Sequence, residues 1–174
     1  MTPPPRRGLT MIEGLICIAV LLIAVSAALP GFGAARDQRR VEGAAAQLET
    51  DLQLTRGLAV SQNRTVRFEI PRNGEGTCYV IHNGAAGACT CAAGGLSCRA
   101  GTLVHRSQHF PSDAGVAGRA NVVSLGFDPV KGTVTPTGTL RIEGRNAALH
   151  QVVNIMGRPR TCSPGGSVPG YPSC

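Results

Sequence analysis

Residues 14–35 carry no charged side chain, and a single carboxylate, Glu13, stands at their head. As helix, these 22 residues would extend about 33 Å at 1.5 Å per residue, enough to cross the hydrocarbon of a bilayer. Such a stretch divides the chain into an apolar N-terminal part and a polar remainder that must build its own core. A carboxylate at the edge of an apolar helix is costly unless something uses it. A cleaved secretory signal would take Arg6 and Arg7 as its basic start and "LPGFGA" (29–34) as a weak cleavage zone. A plain anchor would need only the apolar length. Neither gives Glu13 or the Gly8-Leu9 junction a role. The flanking charges do not orient the segment, since Arg6 and Arg7 precede it while Arg36, Arg39 and Arg40 follow it.

Beyond the apolar run, residues 36–63 keep a helical period. Val41, Ala44, Ala45, Leu48, Leu52, Ala59 and Val60 recur at steps of three and four, with Arg39, Arg40, Glu42, Glu49, Asp51 and Arg56 between them on the expected exposed face. From Thr65 the period becomes two. The stretches 65–70, 78–81, 102–105, 121–127, 132–137, 139–144 and 148–156 read as short strands bounded by Gly, Pro, Asn or Asp. Val130-Lys131-Gly132 and Pro136-Thr137-Gly138 read as turns between adjacent antiparallel strands. Residues 84–95 have no periodicity and read as a loop pinned by cysteines, and residues 163–174 as an irregular tail. Aromatics are 3% of the chain and Trp is absent, so the core is a modest one of Val, Ile, Leu and Ala.

Seven cysteines are present. Cys17 lies in the apolar run and reads as a buried small hydrophobe. Cys78, Cys89, Cys91, Cys98, Cys162 and Cys174 read as a disulfide set formed in an oxidising compartment, with pairing open among fifteen possibilities. A zinc site is the rival reading, but Cys89-Thr-Cys91 has one intervening residue and no His stands at ligand spacing. No metal or cofactor is implied. His82, His105, His109 and His150 are scattered without motif partners, and no nucleophile-and-base set is present, so the chain does not read as an enzyme.

The net charge is +7, carried by 16 Arg and one Lys, Lys131. Arg forks suit phosphate, although a GC-rich genome also replaces Lys by Arg. After Glu143 no acidic residue remains, while Arg145, Arg158, Arg160 and His150 follow. In "GRPRTC" (157–162), Gly157 allows an unusual backbone angle and Pro159 fixes φ between the two Arg. In an extended Arg-Pro-Arg the side chains at i and i+2 project on the same side. Taken alone, the pair is equally a solvated turn or a partner for Glu143. A Cys162–Cys174 bond would anchor this loop.

"RRGLTMIEGLICIAVLLIAV" (6–25) resembles the class III signal of type IV pilins and pseudopilins. That resemblance implies cleavage after Gly8 by a prepilin peptidase, N-methylation of Leu9, an assembly role for Glu13 at the fifth mature position, and a helix kink at Pro30. Leu9 stands where Phe is commoner. In a filament, Glu13 would neutralise a neighbour's α-amino group and set register more than stability, because a wrong register strands both charges. Residues 44–68 and "FDPVKGTVTPTGTLRIEG" with "VVNIMGRPRTC" (127–144 and 152–162) resemble the GspH/FimT class. The implied fold is α+β: a long N-terminal helix and an all-β head of two small antiparallel sheets. The implied divisions are a leader (1–8), a transmembrane and filament-core helix (9–35), the second half of that helix (36–63), a β-rich periplasmic head (64–162) and a tail (163–174).

The "GRPR" stretch matches the Gly-Arg-x-Arg motif of FimT-type minor pilins, which bind DNA in natural transformation. The resemblance therefore implies DNA contact at Arg158 and Arg160 on Gly157. Arg145, Arg141 and Lys131 are further basic candidates without a motif match. Implied partners are other major and minor pilins, the prepilin peptidase, the inner membrane and double-stranded DNA bound without sequence preference. The alternative is a GspH-like pseudopilin of type II secretion, or a pilus-priming minor pilin, with no DNA role. The implied location is the inner membrane, single-pass with a periplasmic head, and then the pilus surface.

Overall fold

The computed structural model describes residues 10–71, 77–92, 95–110 and 112–174. Gly8 and Leu9, the expected cleavage junction, lie outside the described residues. The chain divides into two compact units, Met1–Arg36 and Asp37–Cys174. Helix α1 covers Met11–Gln62 and so contributes to both. In the first unit every described side chain from Thr10 to Ser26 is exposed, and Cys17, expected to be buried, is exposed with them. Among the described residues no helix is long and apolar enough to cross a membrane. The side chains of 27–31, including Pro30, lie outside that description.

The second unit begins with the amphipathic part of α1. Asp37, Val41, Ala44, Ala45, Leu48, Leu52, Thr55 and Ala59 are buried, at the three- and four-residue steps of one helix face. Two expectations fail here. Val60 is 49% exposed, because the buried stripe ends at Ala59. Asp51, expected on the outer face, is fully buried. The hydroxyl of Tyr79 donates to its Oδ2, Gln47 Nε2 donates to the same oxygen at 3.2 Å, and Arg106 Nε pairs with Oδ1 at 3.2 Å. Burial, and then the adjoining Asp51 carboxylate, push the Tyr79 phenol well above its ordinary pKa. Asn63 ends the helix in the left-handed region at φ 49°, which Asn tolerates better than most residues.

The strands are β1 (Val66–Glu69), β2 (Thr77–His82), β3 (Cys89–Ala92), β4 (Gly95–Cys98), β5 (Val104–Phe110), β6 (Ala117–Ala120), β7 (Ser124–Phe127), β8 (Val134–Thr135), β9 (Gly138–Glu143), β10 (Ala148–Val153) and β11 (Pro159–Cys162). They form a five-stranded sheet in the order β5-β2-β1-β7-β8, a four-stranded sheet β11-β10-β9-β6 and the hairpin β3-β4. The α+β fold with a long helix and small antiparallel sheets is therefore present, with the hairpin as a third sheet. The main core of Leu, Val, Ile, Ala and Phe, with Tyr79 stacked on Phe68 at 4.9 Å between ring centres, joins α1 to the sheets, and a small second cluster of Val80, Ala88 and Cys89 lies apart from it.

The aperiodic 84–95 stretch was expected to be a loop, yet it contributes β3 and the first residue of β4. Cys89 pairs with Cys98 directly across this hairpin, and Cys91 with Cys78 on β2. Cross-links, rather than apolar alternation, specify these strands. Pro136-Thr137-Gly138 does not join paired neighbours: it carries the chain from β8 in one sheet to β9 in the other. The tail is less irregular than expected. Residues 164–166 form a 3₁₀ turn, Val168 is buried, Ser163 bridges Ser173, and Cys162 bonds Cys174.

Candidate nucleic-acid interface

β10 ends at Val153, and the chain reverses through Asn154–Arg158 before returning as β11. The Gly157 N–H donates to the Asn154 carbonyl at 2.9 Å, and Asn154 Oδ1 accepts the Arg158 N–H at 3.1 Å. Gly157 sits at φ +68°, and a β-carbon there would meet Gly132 O at 2.6 Å and the Phe127 ring at 3.2 Å. Only glycine satisfies both the angle and the space. The adjoining β7–β8 turn is held by Asp128, whose Oδ1 accepts the N–H groups of Val130 (2.9 Å) and Lys131 (2.8 Å). Those bonds, Lys131 first, keep the Asp128 carboxyl below its usual pKa. Arg56 Nε of α1 donates to Gly132 O at 3.1 Å and fastens the helix to this corner.

The motif is thus half turn and half strand. Arg158 leaves the turn, Pro159 and Arg160 belong to β11, both arginines are exposed, and Pro159 between them is half-buried. The two guanidinium groups do not share one depression. Arg158 lines a groove of about 610 Å³ with Gln53, Arg56, Gly57 and Val60 of α1. Arg160 lines another of about 490 Å³ with Arg141, His150 and the end of the tail. Among the described residues no carboxylate pairs with Arg158, Arg160 or Arg141, so the expected rival, an ion pair to Glu143, is not formed.

The other candidates separate. Lys131 is exposed on the turn whose Gly132 abuts Gly157. Arg141 joins Arg160. Arg145 lies in the β9–β10 turn, its N–H donating to Asp37 Oδ1 at 3.2 Å. That is the opposite end of β10 from Gly157, roughly 20 Å away along a strand of this length, so Arg145 stands apart from the group. Two basic residues were not foreseen. Arg56 was read as solvated helix surface, and Arg119 lies in "AGRA", which has no apolar alternation to mark it as a strand. Only pairing places it. The cysteines form Cys78–Cys91, Cys89–Cys98 and Cys162–Cys174. The last, at the end of the 157–162 stretch, ties the tail against β11 and lines the Arg160 groove. Among the described residues no group of three or more His, Cys, Asp or Glu could hold a metal.

A long N-terminal helix followed by small antiparallel sheets is the type IV pilin fold. A family model described as "Type II transport protein GspH" matches residues 44–157, well over half the chain, and the chain belongs to this family. Its fold is similar to that of the type IV minor pilin FimU of Pseudomonas aeruginosa PAO1. One crystal form gives a TM-score of 0.55 at 21% identity, covering 78% of this chain and 96% of FimU. A second gives 0.50 at 20% identity, covering 75% and 98%. No curated protein matches the sequence. Proteins of this family are membrane-anchored through the N-terminal helix, carry a periplasmic head and assemble with other pilins.

Proposed function

We infer that this chain is a minor type IV pilin whose head binds DNA without sequence preference, for uptake in natural transformation. The observation that carries the reading is the pair Arg158 and Arg160: both are exposed, neither has a carboxylate partner among the described residues, and they stand at the end of the turn that only Gly157 permits and on the strand that follows it. Phosphate contacts carry no sequence information, and among the described residues that line the two grooves there is no Phe, Tyr or Trp to stack bases. In this reading residues 9–35 insert in the inner membrane and the prepilin peptidase cuts after Gly8. Leu9 is then methylated, and Glu13 sets register against a neighbouring subunit. The large apolar side chains exposed along α1, such as Ile12, Leu15, Leu21 and Ile23, fit a segment covered by lipid or by other subunits.

The test is a titration of the full chain in detergent against unrelated DNA duplexes at two salt concentrations. The parent binds all of them, with a log–log salt slope of roughly −2 to −4 for two to four phosphate contacts. Arg158→Gln with Arg160→Gln, folding checked by circular dichroism, abolishes binding. Absence of binding by the parent at low salt overturns the reading.

The family description favours a second reading, a pseudopilin of type II secretion without a DNA role. It has no need of the paired arginines. Under it, the double variant leaves secretion unchanged, and loss of the chain abolishes secretion.

A further inference from the structure

Cross-strand register places residues that no sequence motif groups together. Arg119 on β6 lies directly opposite Arg141 on β9, and Arg141 directly opposite His150 on β10. In the next row Thr139, Val152 and Arg160 stand opposite one another across β9, β10 and β11. Directly opposed residues share a face of a sheet. The other face is the one turned to α1, where Gln151 Nε2 donates to Ala45 O at 3.0 Å and Thr161 Oγ1 to Glu49 Oε2 at 3.2 Å. The outer face therefore carries Arg119, Arg141, His150 and Arg160. Its one carboxylate is Glu143, two residues along β9 from Arg141.

Like charges directly opposite one another destabilise a sheet. Arg119 and Arg141 are both exposed and in register, and among the described residues no carboxylate pairs with either. An anion that accepts from both forks relieves that repulsion. Beside this row, the disulfide-tied end of the chain, Pro172–Cys174, raises a wall against Arg160. Four strands at about 4.8 Å spacing put the row and Arg160 across roughly 14 Å, a length that takes more than one phosphate of a single DNA strand.

The geometry points to the outer face of the four-stranded sheet as a phosphodiester-binding groove that continues the site from Arg160 over His150 and Arg141 to Arg119, with one strand of DNA backbone as its occupant. The inference rests on the DNA-binding reading and extends it from the Gly157 turn to a whole sheet face. Arg forks match phosphate oxygens two at a time, and among the described residues no Phe, Tyr or Trp lines the Arg160 end of this face, so contact there is to the backbone.

The test uses the full chain in detergent and a labelled DNA duplex at several salt concentrations, with Arg119→Gln, Arg141→Gln and, as a charge-matched control, Arg99→Gln at the exposed residue just after β4. Arg119→Gln and Arg141→Gln each weaken binding about three- to tenfold at low salt and each reduce the salt slope by about 1. Arg119→Lys keeps the slope, and Arg99→Gln binds as the parent does. If Arg119→Gln and Arg141→Gln bind as tightly as the parent while the Arg158, Arg160 double variant fails, the groove is refuted and the turn alone is the site. If Arg99→Gln is as damaging as Arg119→Gln, binding follows net charge and the groove is again refuted. If the parent binds no DNA, both readings fall together.

Discussion

A β-carbon on Gly157 would stand 2.6 Å from the carbonyl oxygen of Gly132. Two turns far apart in sequence, one after β7 and one after β10, are therefore in backbone contact, and Arg56 of α1 bonds to that same Gly132 oxygen. Gly157→Ala forces both a left-handed angle on a residue with a side chain and a separation of these turns. The expected cost is about 2–3 kcal/mol, read as a fall of roughly 4–12 °C in thermal midpoint for a chain of this size. DNA affinity falls with it although neither arginine has been changed. An unshifted midpoint sinks the argument.

Asp51 lies on the buried face of α1 with Tyr79, Gln47 and Arg106 as its partners. Removing the carboxylate in Asp51→Ala leaves the Tyr79 hydroxyl buried without its acceptor, and destabilises by about 1–3 kcal/mol. Tyr79→Phe removes one hydrogen bond and costs about 1–2 kcal/mol. Urea denaturation of the two single variants and the double variant measures the coupling. Additive effects would show that the pair does not act as a unit.

The Cys162–Cys174 bond closes a sequence separation of 12 residues. Cys174→Ser loses about 3 kcal/mol of chain restraint by the loop-entropy account, and frees the wall beside Arg160. Limited proteolysis then trims the tail, and DNA affinity drops in the variant. A tail that resists protease as well as in the parent contradicts this.

His150 is half-buried, and its pKa is held below the ordinary value of 6.5 first by burial and then by Arg141, with Glu143 opposing. Arg160 on β11 also lies near it, and Cys162 opposite it is disulfide-bonded and does not titrate. Because the folded pKa is depressed, the unfolded chain takes up the proton first as pH falls through about 6.5. The stability contributed by the neutral form is present above that pH and is lost below it. Bound polyanion offsets the Arg141 and Arg160 charges, so binding takes up a proton and tightens as pH drops from about 7.5 to 5.5. His150→Gln flattens both profiles. A parent whose affinity is independent of pH over that range excludes a contact at His150.

The helix face from Val41 to Ala59 was legible because apolar residues three and four apart must share one side of a helix. Strands β1, β9 and β10 were legible for the matching reason at a period of two, and β2 as a short apolar run. β3, β4, β6 and β11 were not, since "CTCA", "GLSC", "AGRA" and "PRTC" lack apolar alternation and exist as strands only through their partners. Asp51 was misread because a carboxylate on a helix is ordinarily solvated, and its acceptor role depends on Tyr79 and Arg106, distant in sequence. Within the candidate site, Gly157, Arg158 and Arg160 were visible as a motif, whereas Arg119 and the separation of Arg145 were not.

By itself the chain of residues determined the apolar segment headed by Glu13, the amphipathic helix behind it and the glycine-hinged arginine pair, because each is a property of consecutive side chains and local backbone angles. Tertiary structure alone decided which cysteines pair, that Arg158 and Arg160 line different grooves, and that Arg119 faces Arg141. Those relations depend on the register between strands far apart in sequence, and burial in a shared core sets that register, not local preference.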